Sequence, residues 1–92
     1  MGTPERPWEA DFDAGFTRRL GKSPQELGLT SATESCPDMW ELNNGDFACI
    51  GREATDAYAG RLPAGVSVAP DERVIIIPRS TLLSAKRDIP DA

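Results

Sequence analysis

The sequence predicts a small α+β domain. Asn44-Gly45 lies between two runs of mixed apolar and polar residues, which is hairpin chemistry. Val74-Ile75-Ile76-Ile77 is a continuous β-branched run and marks a strand. Helix start and stop signals flank both features. The expected sheet is built on a β-hairpin at about 38–51 plus a buried strand at about 73–78, with short helices and an N-terminal amphipathic helix.

Residues 4–20 carry the helix signals. Thr3 can cap, and Pro4 and Pro7 suit a first turn. Glu5, Glu9, Asp11 and Asp13 lie toward the start, and Arg18 and Arg19 toward the end, as the helix dipole prefers. Gly21 sits where a left-handed residue ends a helix, while Gly15 weakens the interior. Trp8, Phe12, Phe16 and Leu20 recur every four positions and would form one narrow stripe. That stripe has two readings. It packs on the chain's own sheet, or it forms an arm that lies in the groove of a partner protein.

Ser23-Pro24-Gln25-Glu26 matches a capping box and predicts one helical turn near 24–27, stopped by Gly28. Residues 30–36 are small and polar and read as a linker. With a two-residue turn at Asn44-Gly45, Trp40 faces Cys49 and Leu42 faces Phe47, so these four share the expected core face. Residues 54–60 read as a short helix ended by Gly60, and Pro63 to Asp71 as a loop. Pro78 ends the last strand, and Ser80 can cap a helix from Thr81 to Arg87. The expected core is Trp40, Leu42, Phe47, Ile50, Tyr58, Leu62, Val74, Ile75, Ile76, Ile77 and Leu82. The expected organisation is an N-terminal helical arm and polar linker at 1–36, then a small α+β domain at 37–92.

Composition narrows the function. The 92 residues carry 10 basic and 15 acidic side chains, a net charge of −5. The basic pairs Arg18-Arg19 and Lys86-Arg87 are too small to neutralise a phosphate backbone, so direct nucleic-acid binding is not expected. Anionic membranes are disfavoured for the same reason. No apolar run approaches the roughly 18 residues needed to span a bilayer, and the N-terminus lacks a signal-peptide pattern. A cytoplasmic protein is expected.

Histidine is absent, which removes the commonest general base and the commonest zinc ligand. The glycines are scattered over separate turns, with no phosphate-cradling loop. No cofactor or metal is expected. A Cys36–Cys49 bridge would need the chain before Trp40 to fold back, so Cys49 is expected buried and Cys36 ordinary. Asp38 and Glu41 have opposite strand parity, and Asp46 belongs to the turn, so these carboxylates read as solvated.

Two stretches, CPDMWELNNGDFACIG (Cys36–Gly51) and LPAGVSVAPDERVIIIPRSTL (Leu62–Leu82), cover about two-fifths of the chain. In them the sequence resembles small uncharacterised actinobacterial proteins of the type often encoded beside helix-turn-helix regulators. The resemblance implies a regulatory accessory role and brings no catalytic residues.

The expected function is a non-catalytic protein-interaction module with Trp8, Phe12, Phe16 and Leu20 as protein-binding residues. Its partner would be a protein such as a transcription regulator, whose basic surface suits an acidic chain. The alternative is an antitoxin or immunity protein that neutralises a basic toxin. A small enzyme using Cys36 or the carboxylates is the third and least favoured class.

Overall fold

A computed structural model describes residues 7–30 and 37–91. The chain has an α+β architecture. Its elements are β1 (Phe16–Arg19), β2 (Asp38–Leu42), β3 (Phe47–Ile50), β4 (Arg52–Glu53), α1 (Thr55–Tyr58), β5 (Ile75–Ile76) and α2 (Arg79–Ala85), followed by a 3-10 turn, Lys86–Asp88. Strands β1, β2 and β3 form an antiparallel sheet in that order, and β4 pairs with β5 in a second, two-stranded sheet.

Of the helix expected at 4–20, residues 4–6 and the Thr3 cap lie outside the described residues, and the rest is replaced by a turn and a strand. Asp11 accepts a bond from the Asp13 amide on its side chain (2.9 Å) and one from the Ala14 amide on its carbonyl (3.1 Å). An Asp side chain that bonds its own backbone two residues on favours a turn over a helix. Phe16–Arg19 then pairs with β2. The four-residue spacing of the apolar side chains is even, so it is compatible with one strand face as well as with a helical stripe. The register shifts between Phe16 and Arg18, so a bulge at Thr17 breaks even that alternation. Phe16 and Arg19 therefore share one face, and Leu20 turns to the other.

The hairpin forms where expected, with a register one residue away. Asp38 faces Ile50, Met39 faces Cys49, Trp40 faces Ala48 and Glu41 faces Phe47. The Leu42 amide donates to the Asp46 carbonyl (2.8 Å) and the Gly45 amide to the Leu42 carbonyl (3.1 Å). Among the described residues positive φ is confined to glycine, with Gly45 at +90°. A type I′ turn would need positive φ at Asn44 too. The loop is instead three residues long and closes on a left-handed glycine. Trp40 and Leu42 consequently share their face with Ala48 and Ile50, while Phe47 and Cys49 go to the face of Met39 and Glu41.

The capping box forms as predicted. The Ser23 amide donates to Glu26 Oε1 (3.1 Å) and the Glu26 amide to Ser23 Oγ (3.2 Å). Gly28 donates to the Gln25 carbonyl and Leu29 to the Pro24 carbonyl, a Schellman closure with Gly28 at φ +71°. Short helix α1 lies inside the predicted 54–60 span. Helix α2 starts two residues before the expected Thr81, at Arg79, with Pro78 rather than Ser80 at the cap position.

The core sits elsewhere than the sequence suggests. Leu20 is 1% exposed, and Leu20 and Pro24 are the largest fully buried side chains among the described residues. They belong to the corner between β1 and the Ser23 turn, which docks on α2. At Gly21 (φ +75°) a Cβ would collide with Ser84 Oγ and with the backbone of Ser84 and Ala85. The Gly21 amide donates to Asp88 Oδ2 (2.7 Å) and the Lys22 amide to Ser84 Oγ (3.0 Å). Of the expected core residues, Phe47, Ile50, Ile75, Ile76 and Leu82 are exposed, and Trp40, Leu42, Tyr58, Leu62, Val74 and Ile77 are only half-buried. The isoleucine run is not buried on both faces, because it pairs with one two-residue neighbour and not with the larger sheet.

Candidate protein-interaction surface

The residues at the start of the described chain are tied to the hairpin loop. The Asn43 amide donates to the Gly15 carbonyl (2.9 Å), and Asn43 Oδ1 accepts from the Gly15 amide (3.2 Å). Trp8 Nε1 donates to Asp46 Oδ2 (3.2 Å). Asp46 is itself held by its amide donating to Asn44 Oδ1 (3.0 Å). One asparagine-rich loop thus serves both the hairpin and the segment before β1. It does so because Asn and Asp carry short donors and acceptors that reach adjacent backbone.

The four sequence-selected residues do not form one stripe. Leu20 is enclosed in the core, its amide donating to the Met39 carbonyl (2.8 Å), and it offers nothing to a partner. Trp8 is 62% exposed beside the hairpin loop. Phe12 is 95% exposed in the Asp11–Ala14 turn. Phe16 is about half exposed on β1, its ring 5.6 Å from that of Trp40. Three of the four therefore remain outward, on a turn and a strand instead of a helix.

Charge surrounds these aromatics. Glu9, Asp11 and Asp13 are interleaved with Trp8 and Phe12, and all three are exposed. A hollow of about 200 Å³ is lined by Trp8, Glu9, Phe12, Asp71 and Glu72. An aromatic in a ring of carboxylates matches a partner surface with an apolar pocket and a basic rim. On the other side of β1 and β2, Arg18 Nε meets Glu41 Oε1 at 2.8 Å. Arg19 reaches both Asp38 oxygens (2.9 and 3.1 Å from Nε, 2.9 Å from Nη2) and lies 4.8 Å over the Trp40 ring. The hydrogen bonds of Asp38 hold the Arg19 guanidinium above its ordinary pKa, against the pull of burial.

Sequence reasoning missed this Phe16–Trp40–Arg19–Asp38 row. The available signal was two arginines at 18 and 19 against acids at 38 and 41, which suits paired strands as well as a helix dipole. The cysteine expectation also changes. Cys49 is exposed on β3, since the shifted register removes it from the Trp40 face, and partial desolvation pushes its thiol up. Cys36 lies outside the described residues, as does most of the expected 30–36 linker.

A second hollow, of about 410 Å³, is open and mainly apolar, between Ala59 and Leu62 on one side and Val66 and Val68 on the other. Among the described residues no helix is long and apolar enough to cross a membrane. No protein-family model, curated protein or solved structure matches the chain.

Proposed function

We propose that this chain is a non-catalytic protein-interaction module of the cytoplasm, a regulatory accessory protein that docks on a basic protein surface such as that of a transcription regulator. The supporting observation is Phe12, an aromatic almost wholly in solvent, flanked by Glu9, Asp11 and Asp13 and neighboured by Trp8. Exposed aromatics anchor binding when a partner pocket desolvates them, and surrounding carboxylates set orientation and encounter rate. Phe16 extends the surface along β1.

The test is affinity capture from the native host with the wild-type chain and with Trp8→Ala/Phe12→Ala. The expected result is a partner bound at least about tenfold more weakly by the double variant, with little change in thermal stability, because both side chains are exposed and only the exposed Trp8–Asp46 bond is lost. Equal capture by the two proteins refutes the reading. A basic toxin would present the same complementary surface. Rescue of a toxic neighbouring gene product by co-expression would identify the partner as a toxin and the chain as an antitoxin or immunity protein.

A further inference from the structure

We propose that Asn44-Gly45 is a self-modifying site, at which the Gly45 amide nitrogen attacks the Asn44 side chain and converts it to aspartate or isoaspartate. Asn43 and Asn44 are the chain's two asparagines, and only Asn44 precedes a glycine. Asn44 and Gly45 are both exposed in the loop between β2 and β3. Among the described residues no atom lies within 4 Å of the place where a Gly45 Cβ would stand, so the attacking nitrogen is unscreened. Asn43 differs on both counts. Its side-chain oxygen is engaged by the Gly15 amide (3.2 Å), and the nitrogen that follows it belongs to Asn44, which carries a side chain.

The groups around Asn44 suit this reaction. The Asp46 amide donates to Asn44 Oδ1 (3.0 Å). That bond draws electrons from Cγ, and the same donor stabilises the negative charge that Oδ1 takes in the tetrahedral intermediate. Asn44 Nδ2, the leaving nitrogen, donates to Asp46 Oδ2 (3.4 Å). The Gly45 amide donates to the Leu42 carbonyl (3.1 Å) and must come free before it attacks. The bond from Gly45 N to Asn44 Cγ then forms, the Cγ–Nδ2 bond breaks, and the ring closes as a succinimide. Gly45 N loses a proton and Nδ2 gains one to leave as ammonia. The Asp46 carboxylate is placed to carry that proton. Water opens the ring, at Cγ to give aspartate or at the main-chain carbonyl of residue 44 to give isoaspartate. A water is consumed, an ammonia is released and a negative charge is gained, with no oxidation or reduction. The isoaspartyl product adds a methylene to the backbone of the loop that holds Gly15 and Trp8, so the reaction alters how the N-terminal segment is anchored.

The experiment incubates the full, folded chain at mildly alkaline pH and measures released ammonia, with the modified position read by fragment-ion mass spectrometry. Ammonia should appear together with conversion of Asn44, while Asn43 stays intact. Asp46→Asn keeps the main-chain donor and removes the carboxylate. It should slow the conversion of Asn44 at least about tenfold, with the near-ultraviolet circular dichroism of the tryptophans preserved. Should Asp46→Asn lose that signal, Asp46→Ser, which also keeps the main-chain donor, decides instead. Absence of conversion in the folded chain, conversion of Asn43 as fast as that of Asn44, or an unchanged rate in the deciding Asp46 variant overturns the proposal.

Discussion

The two sheets hold the chain in different ways. The β1–β2–β3 sheet is bound by charge and by close backbone packing. Arg19 grips Asp38, Arg18 grips Glu41, and the Gly21 corner sits against α2 with no room for a Cβ. The β4–β5 ribbon has two residues per strand, and its helix α1 has four residues with none buried. It is joined to the first sheet at Gly51, where a Cβ would collide with the Ile76 carbonyl. The contrast teaches that stability here is concentrated at one corner and not spread through a common apolar core. Large perturbations should come from that corner, and equivalent changes beyond the Gly51 joint should be mild.

The largest expected effect is Gly21→Ala. It combines a left-handed φ of +75° with a collision against the Ser84–Ala85 backbone, and should cost about 3 kcal/mol or more in denaturant unfolding. Gly60→Ala is the matched change away from that corner, in the turn after α1. Its φ is +79°, but nothing lies near a new Cβ, so only the conformational cost of about 1 kcal/mol remains. Equal losses at the two glycines would erase the proposed contrast.

Next is Arg19→Met. Asp38 is 7% exposed and would lose its cation, while Trp40 would lose the guanidinium over its ring. The arginine itself is partly solvated, which lowers the loss to about 2 kcal/mol in the same measurement. No change would mean that Asp38 has a sufficient partner elsewhere.

The smallest effect is at low pH, and it separates two carboxylates. The Glu26 carboxyl is held below its ordinary range by the amide and hydroxyl of Ser23, and the Glu53 carboxyl by bonds with Thr55. A carboxyl lowered by folding contributes stability above its unfolded pKa, and that contribution is lost as the pH falls through the lowered folded value. Glu26→Gln should therefore flatten the acid limb of stability against pH at the Ser23 turn, and Glu53→Gln should do so at the ribbon. Because both groups are solvent-exposed, each change should be smaller than that of Arg19→Met. An acid limb identical to wild type in both variants would assign acid sensitivity to other carboxylates.

Elements encoded by local chemistry were legible in the sequence. Ser23 and Glu26 three residues apart, Gly28 and Gly60 past short turns, and Asn44-Gly45 in a hairpin each act over a few residues, and each forms. What failed depended on distant partners. Trp8, Phe12, Phe16 and Leu20 carry an even spacing that serves a strand and a helix alike, and only pairing with β2 chooses the strand. One residue more in the hairpin loop reassigned every side chain of β3 to the opposite face. Gly21 is left-handed as its type suggests, but it turns a strand onto α2 and does not end a helix. The site was half legible. Trp8, Phe12 and Phe16 could be picked out by type, whereas the burial of Leu20 and the Arg19–Trp40 stacking arise from the Thr17 bulge, which leaves no local mark.

The double grip of Asn43 on Gly15 has a kinetic consequence. The β2–β3 ladder joins residues at most 12 positions apart, whereas Phe16 must find Leu42 across 26. A hairpin can zip within about 1–10 μs, while longer loops close at greater entropic cost. Loop-closure entropy therefore favours assembling the loop that offers Asn43 before its distant client arrives, with capture of Gly15 as the later step.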